Sequence, residues 1–216
     1  MTDEVPPNPD TAWCLVVPVK LLHLAKSRLS TDPAQRSTLA LAFAADTVSA
    51  ALRTPSVVEV VVVTDDTIAA AMVRELGAEV VADAPDAGLN PALRHGAAHA
   101  MARHPGCGVG ALSADLPALR PGELHRALRR AAESGLAVVP DTDGSGTTTY
   151  LAAVAAKFAP AFGRDSLRVH VEAGAIALAD DDLASLRRDV DTPGDLAAAI
   201  ELGVGARTAE ALKNHS

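Results

Sequence analysis

Between positions 57 and 63 the chain reads Val57-Val58-Glu59-Val60-Val61-Val62-Val63, six β-branched residues out of seven. Branching at Cβ favours extended backbone, and a strand that is apolar at odd and even positions alike escapes water only if both faces are covered. A chain built around such a strand must form a sheet held between helical layers. The rest of the sequence agrees. Runs near 13–19, 57–63, 78–82, 107–113, 136–140, 148–154 and 175–178 read as strands. They alternate with Ala/Leu segments at helical spacing over about 32–52, 66–76, 91–103, 121–134, 165–173 and 193–202. This pattern predicts an α/β fold: a three-layer sandwich with a mostly parallel central sheet. Asp32 is the expected N-cap of the first helix with Pro33 behind it, and Asn90-Pro91 is expected to open the third in the same way.

The 216 residues suit one domain spanning 1–216, since a chain of this length buries roughly 70% of its unfolded surface around one core. Residues 1–11 are acidic and proline-rich and are expected to form a disordered tail. No apolar leader precedes the first strand and nowhere do 18 apolar residues run together, so a cytoplasmic protein without a membrane partner is expected. Aromatic residues are only 2%, too few for base-stacking platforms. A net charge of -8 argues against a nucleic-acid partner, and any positive charge for an anionic ligand must be local. Cys14 and Cys107 lie in apolar runs and read as small hydrophobes, with neither metal-ligand nor disulfide spacing. His95 and His99 share a helical face but lack the glutamate of a zincin motif.

Parallel sheets bind ligands at the carboxyl ends of their strands, which directs attention to the segments that follow them. Lys20, Lys26 and Arg28 follow the first strand and can hold a triphosphate, although a solvated basic loop has the same composition. Asp115, in Ser113-Ala114-Asp115-Leu116-Pro117, stands at the end of the fourth strand, where a carboxylate is a natural Mg²⁺ ligand or merely a turn cap. In Asp189-Val190-Asp191-Thr192-Pro193-Gly194-Asp195, helix initiation explains Thr192, Pro193 and Asp195. It leaves out Asp189 and Asp191, which an extended backbone turns to one side, either toward a cation or onto an exposed edge. Gly144-Ser145-Gly146-Thr147-Thr148-Thr149 offers amides and hydroxyls to an anion, with a hairpin turn as the competing reading. Gly163-Arg164-Asp165-Ser166 precedes a helix whose free N–H groups can bind phosphate, or is ordinary capping sequence. Gly88 to Asn90 can line a base pocket, with the Asn90 amide at a purine edge.

Taken in order, Pro18-Val19-Lys20 with Lys26-Ser27-Arg28-Leu29, Gly88-Leu89-Asn90-Pro91, Asp115-Leu116-Pro117, Gly144-Ser145-Gly146-Thr147, Phe162-Gly163-Arg164-Asp165-Ser166 and Asp189-Val190-Asp191-Thr192-Pro193 resemble the guanylyltransferase family of deazaflavin coenzyme (F-420) biosynthesis. The resemblance runs from Val16 to about Gly205 and implies a GT-A-like nucleotidyltransferase fold. It implies transfer of GMP from GTP to a phosphorylated three-carbon acid with release of pyrophosphate. The acid is phosphoenolpyruvate in the bacterial branch and 2-phospho-L-lactate in archaeal relatives. It further implies metal-binding roles for Asp115 and Asp189, with Asp191 assisting. Acid-binding roles fall to Gly163, Ser166 and either Thr147 or Thr148, a choice that turns on a one-residue shift. The labile product implies hand-over to the next transferase of the pathway. Competing readings are a nucleotidyltransferase of the same fold acting on a molybdopterin or sugar phosphate, and a non-catalytic nucleotide-binding module.

Overall fold

A computed structural model describes residues 11–20, 29, 32–84 and 86–214. The elements are β1 (Trp13–Pro18), α1 (Pro33–Leu52), β2 (Val57–Val63), α2 (Thr67–Glu75), β3 (Glu79–Val81), α3 (Leu89–Arg103), β4 (Gly108–Leu112), α4 (Pro121–Ser134), β5 (Leu136–Pro140), β6 (Thr147–Ala152), α5 (Ser166–Glu172), β7 (Ile176–Ala177), α6 (Ala184–Arg187), α7 (Pro193–Leu202) and α8 (Ala206–Lys213). The expected N-terminal tail, apart from Thr11, lies outside the described residues, as do Lys26 and Arg28.

One seven-stranded sheet has the order β3-β2-β1-β4-β6-β5-β7. β1 runs parallel to β2 and β4, β2 to β3, and β5 to β7, whereas β6 is antiparallel to both of its neighbours. The valine run occupies an interior position, and Val60 to Val63 are fully buried. Its first half is less covered, with Val58 half exposed.

The side chains divide by strand alternation. Leu15, Val17, Val60 and Val62 pack with Val48, Val73, Leu124 and Leu128 under α1, α2 and α4. Val16, Val63, Ala111 and Tyr150 pack with Leu93 and Ala97 under α3. A third cluster joins Phe43 of α1 to Val190, Ala199 of α7 and Ala211 of α8. No helix among the described residues is long and apolar enough to cross a membrane.

The expected caps are observed at two helices. Asp32 accepts a hydrogen bond from Ala34 N–H ahead of Pro33, and Thr192 with Asp195 forms a reciprocal capping box around Pro193. The third helix differs: it opens at Leu89 with Gly88 as N-cap, so Asn90 lies inside its first turn. Helix α8 has no counterpart in the pattern reading. Its start is held from a distance, because the buried Asp46 carboxylate of α1 accepts from Arg207 and Thr208 N–H at 3.1 and 2.8 Å.

Candidate active site

A cleft opens at the carboxyl ends of β1 and β4. One lobe of about 290 Å³ is lined by Pro18, Lys20, Leu89, Ser113, Asp115, Phe162 and Asp191, among others. A second of about 240 Å³ shares Pro18, Val19, Lys20 and Leu89 and extends to Thr64, Asp65, Asp83 and Gly88. Both are of the size of small-ligand sites, roughly 300 Å³ and upward once joined. Lys20 is therefore the described cation common to the two lobes. It stands there because Val19 N–H donates to Val63 C=O, carrying the β1–β2 ladder one residue past the strand before the chain turns out.

Asp115 is held by its backbone. The buried Thr47 hydroxyl of α1 donates to Ala114 C=O and accepts from Leu116 N–H, at 3.2 and 3.1 Å, so one side chain pins the peptides on either side. Val190 N–H donates to Asp115 C=O at 3.1 Å, tying the Asp189-Val190-Asp191 segment to the same turn. Val190 is fully buried in the third cluster, Asp191 is exposed and Asp189 half-buried on the other side, as the alternation argument expected. Burial, then repulsion from Asp115 and Asp191, pushes the Asp189 carboxyl up to about 7. The backbone thus holds like charges together. An oxygen-only donor set is the kind a hard divalent cation takes, although one oxygen from each of Asp115, Asp189 and Asp191 does not come within 4.8 Å of the other two here.

The hydroxyl segment is arranged differently. Thr148 is fully buried and turned toward α6, its hydroxyl donating to Leu186 C=O at 2.7 Å. Thr147 faces α5, where Ser166 Oγ lies 3.0 Å and His170 Nδ1 3.1 Å from its hydroxyl. Ala161 N–H donates to His170 Nε2 at 2.9 Å, which places the ring proton on Nδ1, pointing to Thr147. His170 stacks on Tyr150, and burial lowers its pKa to about 4, so the ring is neutral.

Two anion-binding expectations meet prior occupants. The Gly144-Ser145-Gly146 loop does form a concavity of amides, but the Asp141 carboxylate fills it, accepting from Ser145 and Gly146 N–H at 3.1 and 2.8 Å. A Cβ on Gly146 would collide with that carboxylate, which accounts for the glycine. The Asn90 amide pairs reciprocally with Phe162, donating to its C=O at 2.9 Å and accepting from its N–H at 2.8 Å. It is engaged with the cleft wall rather than presented to a base edge. Gly163, with φ +138°, follows at once, and Asp165 then adopts a left-handed conformation to start α5 at Ser166.

Thr47, Asp141 and His170 were missed by sequence reasoning. The only signal was for Thr47, a polar residue on the buried face of an Ala-rich helix.

A mostly parallel sheet with a strand-end cleft, a strand-end carboxylate and a cation beside it is this chain's arrangement, on a fold it shares with solved nucleotidyl transferases. Similar solved structures are a nucleotidyl transferase from Methanothermobacter thermautotrophicus (TM-score 0.58, 20% identity, 88% of this chain and 97% of that one) and a Mycobacterium tuberculosis protein solved as a manganese complex (TM-score 0.54, 22% identity, 88% and 98%). Within that type the match is narrower: residues 13–215 fit the family described as CofC-like guanylyl transferases, and the chain belongs to it. Its curated relatives include proteins named phosphoenolpyruvate guanylyltransferase from Thermomonospora curvata (56% identity, 97% of this chain, 92% of the relative) and Streptomyces coelicolor (55%, 91% and 94%).

Proposed function

We propose that the protein transfers GMP from GTP to phosphoenolpyruvate, releasing pyrophosphate. The name shared by relatives more than half identical over nearly the whole chain supports the substrate pair. The observation that supports the chemistry is the repulsion that Asp115 and Asp191, which line the cleft with Lys20, exert on the half-buried Asp189.

In the reaction an oxygen of the acceptor phosphate attacks the α-phosphorus of GTP; a new P–O bond forms, the bond to the β-phosphate bridging oxygen breaks, and its electron pair leaves with pyrophosphate. A phosphate is already ionised at pH 7, so no general base is needed; His170, beside Thr147, is buried and hydrogen-bonded. Asp115 and Asp189, assisted by Asp191, would hold Mg²⁺, which when bound neutralises the two polyanions and the charge developing between them. Lys20 supplies a donor to the triphosphate, and we assign Lys26 and Arg28 to the same task from the sequence alone. Gly88 lines the nucleotide lobe, with Asn90 positioning its wall through Phe162. For the acid we assign Gly163, Ser166 and Thr147; Thr148 is directed into the α6 packing, and Ser166 and Thr147, themselves buried and bonded to each other, would have to turn toward the cleft to reach it. Thr47 keeps Asp115 in place.

GTP and phosphoenolpyruvate are intracellular metabolites, which supports a cytoplasmic location. The product is a mixed phosphoric anhydride whose hydrolysis is downhill, which supports direct hand-over to the transferase that consumes it.

The test is incubation with GTP and Mg²⁺ plus either phosphoenolpyruvate or 2-phospho-L-lactate, followed by mass spectrometry of the nucleotide product. Formation of the enolpyruvyl diphospho-guanosine with stoichiometric pyrophosphate is expected. Product only with 2-phospho-L-lactate, or GTP binding without pyrophosphate release, would overturn the reading.

A further inference from the structure

At the opposite, amino end of the sheet lies a group of side chains that guanylyl transfer does not use. Cys14 of β1 and Glu59 of β2 are cross-strand partners, and both point to the face covered by α3. His104 follows the last residue of α3 and Cys107 enters β4, so the α3–β4 connection brings both onto the same spot. One ligand atom each from Cys14, Glu59 and His104 lie within 4.8 Å of one another. The Cys107 thiol lies near that of Cys14 and adds a fourth, outside that closest group. We propose that Cys14, Cys107, Glu59 and His104 form a closed, structural binding site for a zinc-class divalent ion.

The donor chemistry is the first argument. Two sulfurs, one imidazole and one carboxylate are the set that a borderline-soft, tetrahedral ion selects, and Mg²⁺ avoids. In a tetrahedral zinc site, bond lengths near 2.0–2.3 Å put ligand atoms about 3.3–3.8 Å apart. The Cys14, Glu59 and His104 atoms reach that with a contraction on the order of 1 Å, and the Cys107 thiol has further to move.

Glu59 is the second, independent argument. Its side chain is only 9% exposed, and although Oε1 pairs with Arg103 at 2.8 Å and lies 3.5 Å from His104 Nε2, Oε2 is buried with no hydrogen-bond partner. A buried carboxylate oxygen without a donor is costly. A metal ion beside Oε2 removes that cost while Arg103 continues to orient Oε1, the usual arrangement of an outer hydrogen bond around a metal ligand. Two thiolates and one carboxylate against a divalent ion leave one negative charge, which Arg103 balances. An ion here would staple β1, β2 and the α3–β4 connection at the end of the sheet remote from the cleft.

The test uses the full chain, kept reduced with a phosphine, and Co²⁺ or Zn²⁺ alone. Co²⁺ is expected to give a thiolate-to-metal charge-transfer band that saturates at one equivalent and is displaced by Zn²⁺, a signature the aspartates of the cleft cannot produce. Cys107→Ser and His104→Ala, both at partly exposed positions, are expected to weaken Zn²⁺ binding by at least about tenfold to a hundredfold. Asp189→Asn should leave the band unchanged. Zn²⁺ should also raise the melting temperature of the wild type and not of the two variants. Absence of the band in the reduced protein, or a band of undiminished affinity in both variants, would overturn the proposal. So would a Cys14–Cys107 disulfide that forms readily with no metal retained before oxidation. None of these results depends on whether GTP is turned over.

Discussion

Around Asp115 the backbone does the holding; around Thr147 the side chains hold one another. The Asp115 turn is fixed by the Thr47 hydroxyl and by Val190 N–H, both acting on main-chain atoms. The charges of Asp115 and Asp191 repel that of the half-buried Asp189. In the Thr147 cluster, Ser166, His170 and Ala161 N–H form an unbroken chain of hydrogen bonds that is satisfied without any ligand. A region that gathers like charges gains from a bound cation. One already satisfied supports the fold first and meets the ligand second. Substitutions should separate the two.

The largest effect is expected at the acidic turn. Asp115→Asn or Asp189→Asn should lower pyrophosphate release by a hundredfold or more, the scale of a lost electrostatic stabiliser. Thermal stability should be unchanged or higher, because a like charge has been removed. A variant that melts early instead would place these carboxylates in the fold's own stability and erase the contrast.

The satisfied cluster should respond to pH instead. The folded His170 pKa, about 4, lies below the unfolded value of 6.5. The unfolded chain therefore takes up a proton that the folded one refuses, and stability is fully present above pH 6.5 and lost as pH falls toward 4. The loss is about 3 kcal/mol over that window. Urea melts of the wild type and His170→Gln across pH 4–7 should differ in slope over this range, and parallel curves would contradict a buried neutral imidazole.

Thr47→Val probes the backbone that holds the acidic turn. It leaves Ala114 C=O and Leu116 N–H without their partner and should cost about 1–3 kcal/mol. It should also lower kcat more than it raises the KM for GTP, since Asp115 loses its position rather than its charge. Equal rates would mean that the Val190 contact alone suffices. The smallest effect is expected for Ser166→Ala: a rise of roughly fivefold in the KM for the acid, matching one lost hydrogen bond of about 1 kcal/mol, with kcat nearly unchanged. An unchanged KM would remove Ser166 from the acid site and leave it wholly structural.

How much of this was legible in the sequence follows from how local each signal is. The valine run, Asp32-Pro33 and Thr192-Pro193-Gly194-Asp195 act within a few residues, and each was read correctly. The alternation Asp189-Val190-Asp191 is also local, and its orientation emerged from strand geometry. Other features depend on partners far away in the chain. Helix α8 begins where Asp46, some 160 residues earlier, accepts its first amides. The Asn90 amide resembles a free cap until Phe162, 72 residues on, engages it. The glycines around Ser145 resemble an anion nest, and Asp141 already occupies it. Cys14 and Cys107 read as two unrelated core thiols because only the β1–β4 pairing brings them together. The antiparallel β6 carries no mark in its own composition that distinguishes it from a parallel strand.

The central claim is that Asp115 and Asp189 share a divalent ion between two phosphorylated substrates. The most direct measurement is a crystal structure grown with Mg²⁺ and a non-hydrolysable GTP analogue. The account predicts one ion with a carboxylate oxygen of each aspartate at about 2.0–2.1 Å and a phosphate oxygen completing the bridge. An ion bound only by phosphates and water, with the two carboxylates more than about 6 Å apart, would contradict it.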